Sequence, residues 1–197
     1  MAKNDKNGQA ESNTCFVIMP ISDCDGYDKG HFGRVYEDVF KKAIVDAGFA
    51  PLRADEVKQT NMIHLDILQK LLESPMAICD LSSRNPNVLF ELGLRQAFDR
   101  PTVLVKDTLT ENMFDIAPLR FTDYRRELKY REVLEDQRAI CEAIKATRKA
   151  TDEGKGINSL VNLLSLSSPA RLKEVSQDEG ISQMLALMRS EMADLRS

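Results

Sequence analysis

Residues 75–99 read PMAICDLSSRNPNVLFELGLRQAFD, and their reading decides the fold. The first part, PMAICDL, is a short continuous apolar run, the pattern of a strand buried on both faces. Asn85 then offers a helix N-cap and Pro86 suits the first helical position, so NPNVLFELGLRQAFD predicts a helix. Strand, tight polar loop and helix together make half of a βαβ unit. The same alternation recurs outward from this stretch. On the N-terminal side, TCFVIMP (14–20) is a buried strand ended by proline, followed by the turn-rich ISDCDGYDKGHFG (21–33). A helix follows with Val35, Val39, Ala43, Ile44 and Ala47 at helical spacing, stopped by Gly48. FAPLRADE (49–56) is a short strand that Pro51 assigns to a sheet edge. MIHLDILQKLLES (62–74) is a second helix, with Ile63, Ile67, Leu68 and Leu71 on one side. On the C-terminal side PTVLVKD (101–107) is a fourth strand and PLRFTDYR (118–125) a less regular fifth.

Strands alternating with helices of about 12 residues imply right-handed crossovers and a parallel sheet. The expectation is an α/β, flavodoxin-like, doubly wound sheet of four or five strands with additional C-terminal helices. Residues 1–13 read as a flexible polar tail, 14–126 as the α/β domain and 127–197 as a helical extension. That extension opens with a charged helix over 127–149 carrying Leu128, Val133, Leu134, Ile140 and Ile144. INSLVNLLSL (157–166) follows a glycine-containing break. The last segment sets Ile181, Met184, Leu185, Met188, Met192 and Leu195 at steps of three and four, an apolar stripe suited to core packing, self-association or a partner.

Composition narrows the function classes. The 197 residues are 43% hydrophobic and 29% charged with a net charge of −4, ordinary for a globular chain and without basic runs. Nothing advertises a nucleic-acid or anionic-membrane surface. No signal peptide is visible, and no apolar stretch approaches the ~20 residues that span a bilayer. Cys15, Cys24, Cys79 and Cys141 lack C-x-x-C spacing, and Cys15 and Cys79 fall beside or inside strand-like runs. A reduced, cytoplasmic chain is expected. His31 and His64 are the only histidines, and no His/Cys/carboxylate cluster has ligand spacing, so no metal is expected.

In open parallel sheets, ligands bind beyond the carboxyl ends of the strands, where strand order reverses. For this order the loops after the first and third strands should meet there. The first of these carries Gly26, Gly30 and Gly33 without the spacing of a dinucleotide or phosphate loop. It reads either as a surface loop or as a lid, in which His31 is a candidate ligand contact. In the third helix, Asn87 and Glu91 are four apart on one face. Val88, Leu89, Phe90, Leu92, Leu94, Ala97 and Phe98 nearly circle the helix, which predicts that it is mostly buried and that Glu91 is not a solvated charge. The helix start favours its ionised form and desolvation opposes it. A carboxylate so balanced suits glycosyl transfer as nucleophile or acid–base, with Asp80 directed toward the same place. The structural alternative has Glu91 paired with Arg95 one turn on, Asn87 as a second cap and Asp80 fastening its own loop.

CFVIMP, AGFAPLRADE, AICDLSSRNPNVLFELGLRQAF and RPTVLVKD, in this order over about 14–124, resemble the nucleoside 2-deoxyribosyltransferase-like branch of the TIR-like superfamily. The resemblance implies chemistry at an N-glycosidic bond of a nucleoside, nucleotide or NAD, with no separate cofactor. Glu91 matches the glutamate that attacks or stabilises the cationic sugar, and Asp80 the acidic residue that orients substrate. Asn87 would bond sugar hydroxyls or Glu91 itself. Ser22 and Asp23 would lie near the substrate's sugar or phosphate, and Arg53 and Asp55 near a phosphate or base. An NAD glycohydrolase, in the manner of TIR-like effectors of anti-phage defence, is the leading expectation. Such effectors act as assemblies, which implies a homo-oligomer or partner-activated complex through the C-terminal helices. A nucleoside or deoxynucleotide 2-deoxyribosyltransferase or hydrolase is the nearest rival, and a non-catalytic nucleotide-sensing module the third reading.

Overall fold

The computed structural model describes residues 13–56, 63–111, 113, 119–155 and 158. Strand β1 is Thr14–Ile18. Helix α1 follows in three continuous pieces, His31–Arg34, Val35–Phe40 and Lys41–Asp46. Then come β2 (Ala50–Arg53), α2 (Ile63–Glu73), β3 (Met76–Asp80), α3 (Pro86–Ala97), β4 (Thr102–Asp107), β5 (Phe121–Tyr124) and α4 (Tyr130–Asp152). The sheet order is β2-β1-β3-β4-β5 and every neighbouring pair is parallel. This is the flavodoxin-like arrangement expected, with five strands. The chain steps from β1 out to one edge, then crosses back to β3, so strand order reverses between β1 and β3. Pro51 sits in the edge strand β2, where a missing N–H costs no central ladder bond.

Side chains alternate across the strands and build two cores. Cys15, Val17, Met76, Ile78, Val103 and Val105 face one side, where α1 contributes Val35, Val39, Phe40 and Ile44, and α4 contributes Val133, Ile140, Cys141 and Ile144. Phe16, Ile18, Ala77, Cys79 and Leu104 face the other, against Leu71 of α2 and Val88 and Leu92 of α3. Burial on both faces is why these strands read as continuous apolar runs. The helix that sequence placed at the start of an extension from residue 127 thus closes one face of the sheet. The tail up to residue 12 and the expected last helix, 181–195, lie outside the described residues. Among the described residues no helix is long and apolar enough to cross a membrane, and the four cysteines are free.

Helix α1 departs from the regular helix expected. Its buried residues fall in adjacent pairs, His31/Phe32, Val35/Tyr36, Val39/Phe40 and Ala43/Ile44, repeating every four residues. Four residues of α-helix turn through about 400°, so such pairs would drift by about 40° per repeat. The central piece, Val35–Phe40, is π-helical, and this wider winding brings the pairs back onto one line. The helix closes at Gly48, whose φ of +87° a side chain would resist; Phe49 N–H reaches back to Ile44 O at 3.0 Å.

Arg95 of α3 is fully buried, and its charge meets no carboxylate among the described residues. Its Nη1 donates to the carbonyls of Leu71 (2.8 Å) and Ser74 (2.7 Å) at the C-terminus of α2, Nη2 to Pro101 O, and Nε to Thr102 Oγ1 at 3.3 Å. The negative end of α2 therefore serves as its counter-charge. Burial still pulls the guanidinium down, to about 9. Arg95→Ala should cost about 3 kcal/mol or more, because three carbonyls lose their donor; Arg95→Lys should recover only part of it. Urea denaturation of the two variants checks both expectations.

Candidate functional site

Polar side chains gather where the topology admits them, at the carboxyl ends of the strands. Asp80, Asp107 and Tyr124 are the last residues of β3, β4 and β5, and all three are fully buried. Ser82, in the 3₁₀ turn after β3, ties them together. Its N–H donates to Asp80 Oδ1 (3.0 Å), its Oγ accepts from Asp107 N–H (2.8 Å) and lies 3.0 Å from Tyr124 Oη. Tyr124 Oη donates to Asp80 Oδ2 at 2.9 Å. Burial raises the Asp80 carboxyl to about 6 against these stabilising bonds.

The loop after β1 meets the loop after β3, as the strand order required. Tyr27 Oη donates to Asp107 Oδ2 (2.7 Å) and accepts from Ser83 N–H (3.1 Å). The Arg126 guanidinium stacks 4.1 Å from its ring centroid, and the His31 and Phe32 rings lie 5.0 and 4.8 Å away. His31 is only 4% exposed, and among the described residues its Nε2 has no hydrogen-bond partner; Ser83 Oγ is likewise buried and unpaired among them. Burial, reinforced by Arg126 and Arg34, lowers the His31 pKa from its ordinary value. Ser83 and Arg84 hold φ of +62° and +50°, a conformation that side chains oppose.

Glu91 stands apart from this cluster. It projects from α3, caught between core and surface, with no hydrogen-bond or ion-pair partner among the described residues. Arg95 is committed to carbonyls, so the i, i+4 pairing alternative fails. Desolvation alone raises its carboxyl to about 7. The helix is less enclosed than its sequence suggested: Phe90 is 61% exposed, and Asn87, Gly93 and Ala97 also face solvent. Asp80 and Glu91 do not converge either. Asp80 shares its strand parity with Met76 and Ile78, on the side of α1 and α4, whereas α3 covers the opposite side. The Cys79 thiol feels both charges. The expectation that Asp80 points toward Glu91 is corrected by strand alternation itself.

The remaining sequence candidates are scattered or already engaged. Asn87 is exposed, with its N–H on the Asn85 cap (2.9 Å). Asp23 Oδ1 accepts from Gly30 N–H at 2.7 Å and cinches the loop after β1, where Ser22 is exposed. Arg53 and Asp55 form a two-pronged pair with both contacts at 2.6 Å, and Arg53 also covers the Tyr36 ring, so they are satisfied by each other at the β2 edge. Tyr27, Ser82, Ser83, Asp107, Tyr124 and Arg126 were not singled out from sequence. Asp107 carried a usable signal, since a carboxylate ending an apolar strand lies at the ligand-binding end of such sheets. No family model matches the chain, and no curated protein sequence matches it.

The raised Glu91 pKa has a stability consequence with a definite sign. Between its ordinary 4.5 and about 7, the folded state keeps a proton that the unfolded state has lost, so stability falls as pH rises through that window. Glu91→Gln should therefore raise the melting temperature at pH 8 by about 2–4 °C, the effect of ~1 kcal/mol in a chain of this size. The gain should vanish at pH 4. Calorimetry at the two pH values tests it.

Proposed function

We propose that this chain cleaves the N-glycosidic bond of a nucleotide, most simply as an NAD glycohydrolase, with Glu91 as the group that steadies the cationic sugar. One observation carries the reading: a desolvated carboxylate without a partner among the described residues, held on a helix that starts beside the strand-order reversal. Such a charge costs stability, and a transient cation is a partner that would use it. Breaking the bond sends its electron pair to the departing nitrogen and leaves positive charge on the anomeric carbon and ring oxygen. Water then forms the new C–O bond and gives up a proton. Nicotinamide leaves as a neutral molecule without being protonated. A neutral base in a deoxynucleotide needs a proton donor.

The separation of Asp80 from Glu91 favours the substrate that needs only one carboxylate. In this reading Asp80 holds Ser82, Tyr124 and the turn after β3 in place. The resemblance to the TIR-like and nucleoside 2-deoxyribosyltransferase-like proteins supports the same assignment, and a defence role with assembly through the C-terminal helices belongs to that resemblance.

Incubating the purified chain with NAD, deoxynucleotides and nucleosides, then separating the products by chromatography, tests the reading. NAD should yield nicotinamide. The rate should rise with pH and level off above about 7, as Glu91 ionises. Glu91→Gln should lower it about 10²–10³-fold. An unchanged rate in that variant removes Glu91 from the chemistry, and nucleotide binding without turnover of any substrate would assign the site to sensing.

A further inference from the structure

The cluster around Tyr27 has no part in that chemistry, yet it holds the features of an occupied binding site. The Tyr27 hydroxyl acts in both senses at once, donating to Asp107 Oδ2 and accepting from Ser83 N–H, with Thr110 Oγ1 a more distant third contact at 3.4 Å. A ligand hydroxyl can do the same. A phosphate oxygen cannot, because it brings no proton to a carboxylate, and Asp80 belongs to the same buried lattice. Two further buried atoms bordering Tyr27, His31 Nε2 and Ser83 Oγ, go unpaired while the tyrosine is in place. Orphaned buried polar atoms cost about 1–3 kcal/mol each. Ser83 and the next residue are also held at positive φ. Tyr27 itself rides on a loop flanked by Gly26 (φ +81°) and Gly30 (φ +71°), and it is only partly buried.

We propose that Tyr27 is a displaceable plug, and that Asp107, Ser83 and His31 beneath it form a subsite for the vicinal diol of a ribosyl ligand. One ligand hydroxyl takes over the bonds of the tyrosine to Asp107 and Ser83, and its neighbour pairs with Ser83 Oγ and His31 Nε2. The Arg126 guanidinium, stacked 4.1 Å from the Tyr27 ring centroid, suits a phosphate attached to the same sugar. The subsite makes the chain select ribose over deoxyribose. A trapped water could satisfy the same two atoms, but it would give no such selection.

The inference rests on the reading above for its ligand class, a nucleotide, but its readout is binding. Glu91→Gln protein is titrated with AMP, 2′-deoxy-AMP and 3′-deoxy-AMP by calorimetry and by tyrosine emission, which a chain of four tyrosines and no tryptophan leaves uncluttered. AMP should bind about tenfold or more tightly than either deoxy form. Adding Tyr27→Phe removes the competing hydroxyl and should tighten AMP several-fold while the preference stays. Ser83→Gly, which suits the positive φ, and His31→Phe should each shrink the preference to within about twofold, with unchanged circular dichroism. Equal binding of the three nucleotides, no binding of AMP at about 1 mM, or a preference that survives both Ser83→Gly and His31→Phe would overturn the proposal. Selection for AMP in a chain that leaves NAD intact would keep the subsite and overturn the glycohydrolase reading; nicotinamide release without selection would do the reverse.

Discussion

A parallel sheet covered on both faces leaves no room for an unpaired polar side chain along its strands. Asp80, Asp107 and Tyr124 stand at the carboxyl ends of their strands, where buried polar groups must satisfy one another. Ser82 meets that requirement by serving Asp80, Asp107 and Tyr124 together, so three strand ends are fixed by one hydroxyl and one amide. The turn that delivers Ser82 is bought with strained backbone at Ser83 and Arg84. The Tyr27 contact across to Asp107 and Ser83 then follows from where that turn has been placed.

Two carboxylates feel the same desolvation and answer it differently. Asp80 is wholly enclosed but receives an amide and a phenol, and burial leaves it near 6. Glu91 keeps some contact with water, receives no hydrogen bond from the described residues, and sits near 7. Enclosure alone would rank them the other way; hydrogen bonds to the charged form decide the order. Arg95 shows the third solution, a buried charge met only by carbonyl dipoles and a hydroxyl.

Much of the fold was legible because burial on both faces writes itself into composition: β1, β3 and β4 are unbroken apolar runs, Pro51 marks an edge, and Asn85–Pro86 marks a helix start. Asn85 Oδ1 does accept from the N–H of Asn87. The site was less legible. Counting apolar residues around α3 suggested full burial, yet Phe90 is exposed, because a pattern records which residues are apolar and not which side the neighbouring layer covers. The parity of Asp80 was readable from Met76 and Ile78. Its relation to Glu91 was not, since that depends on which face each crossover helix takes. Tyr27 lay in a loop whose glycines and aspartates signalled turns, and nothing local announced that its hydroxyl reaches a residue 80 positions away.

The π-helical stretch of α1 has a mechanical consequence. Rewinding Val35–Phe40 as ordinary helix would swing the N-terminal portion through about 100°, roughly one residue's rotation. His31 and Phe32 would leave the core together, and the aromatic floor beneath the first loop would go with them. The winding of one helix therefore acts as a torsional lock on the lining of the crevice.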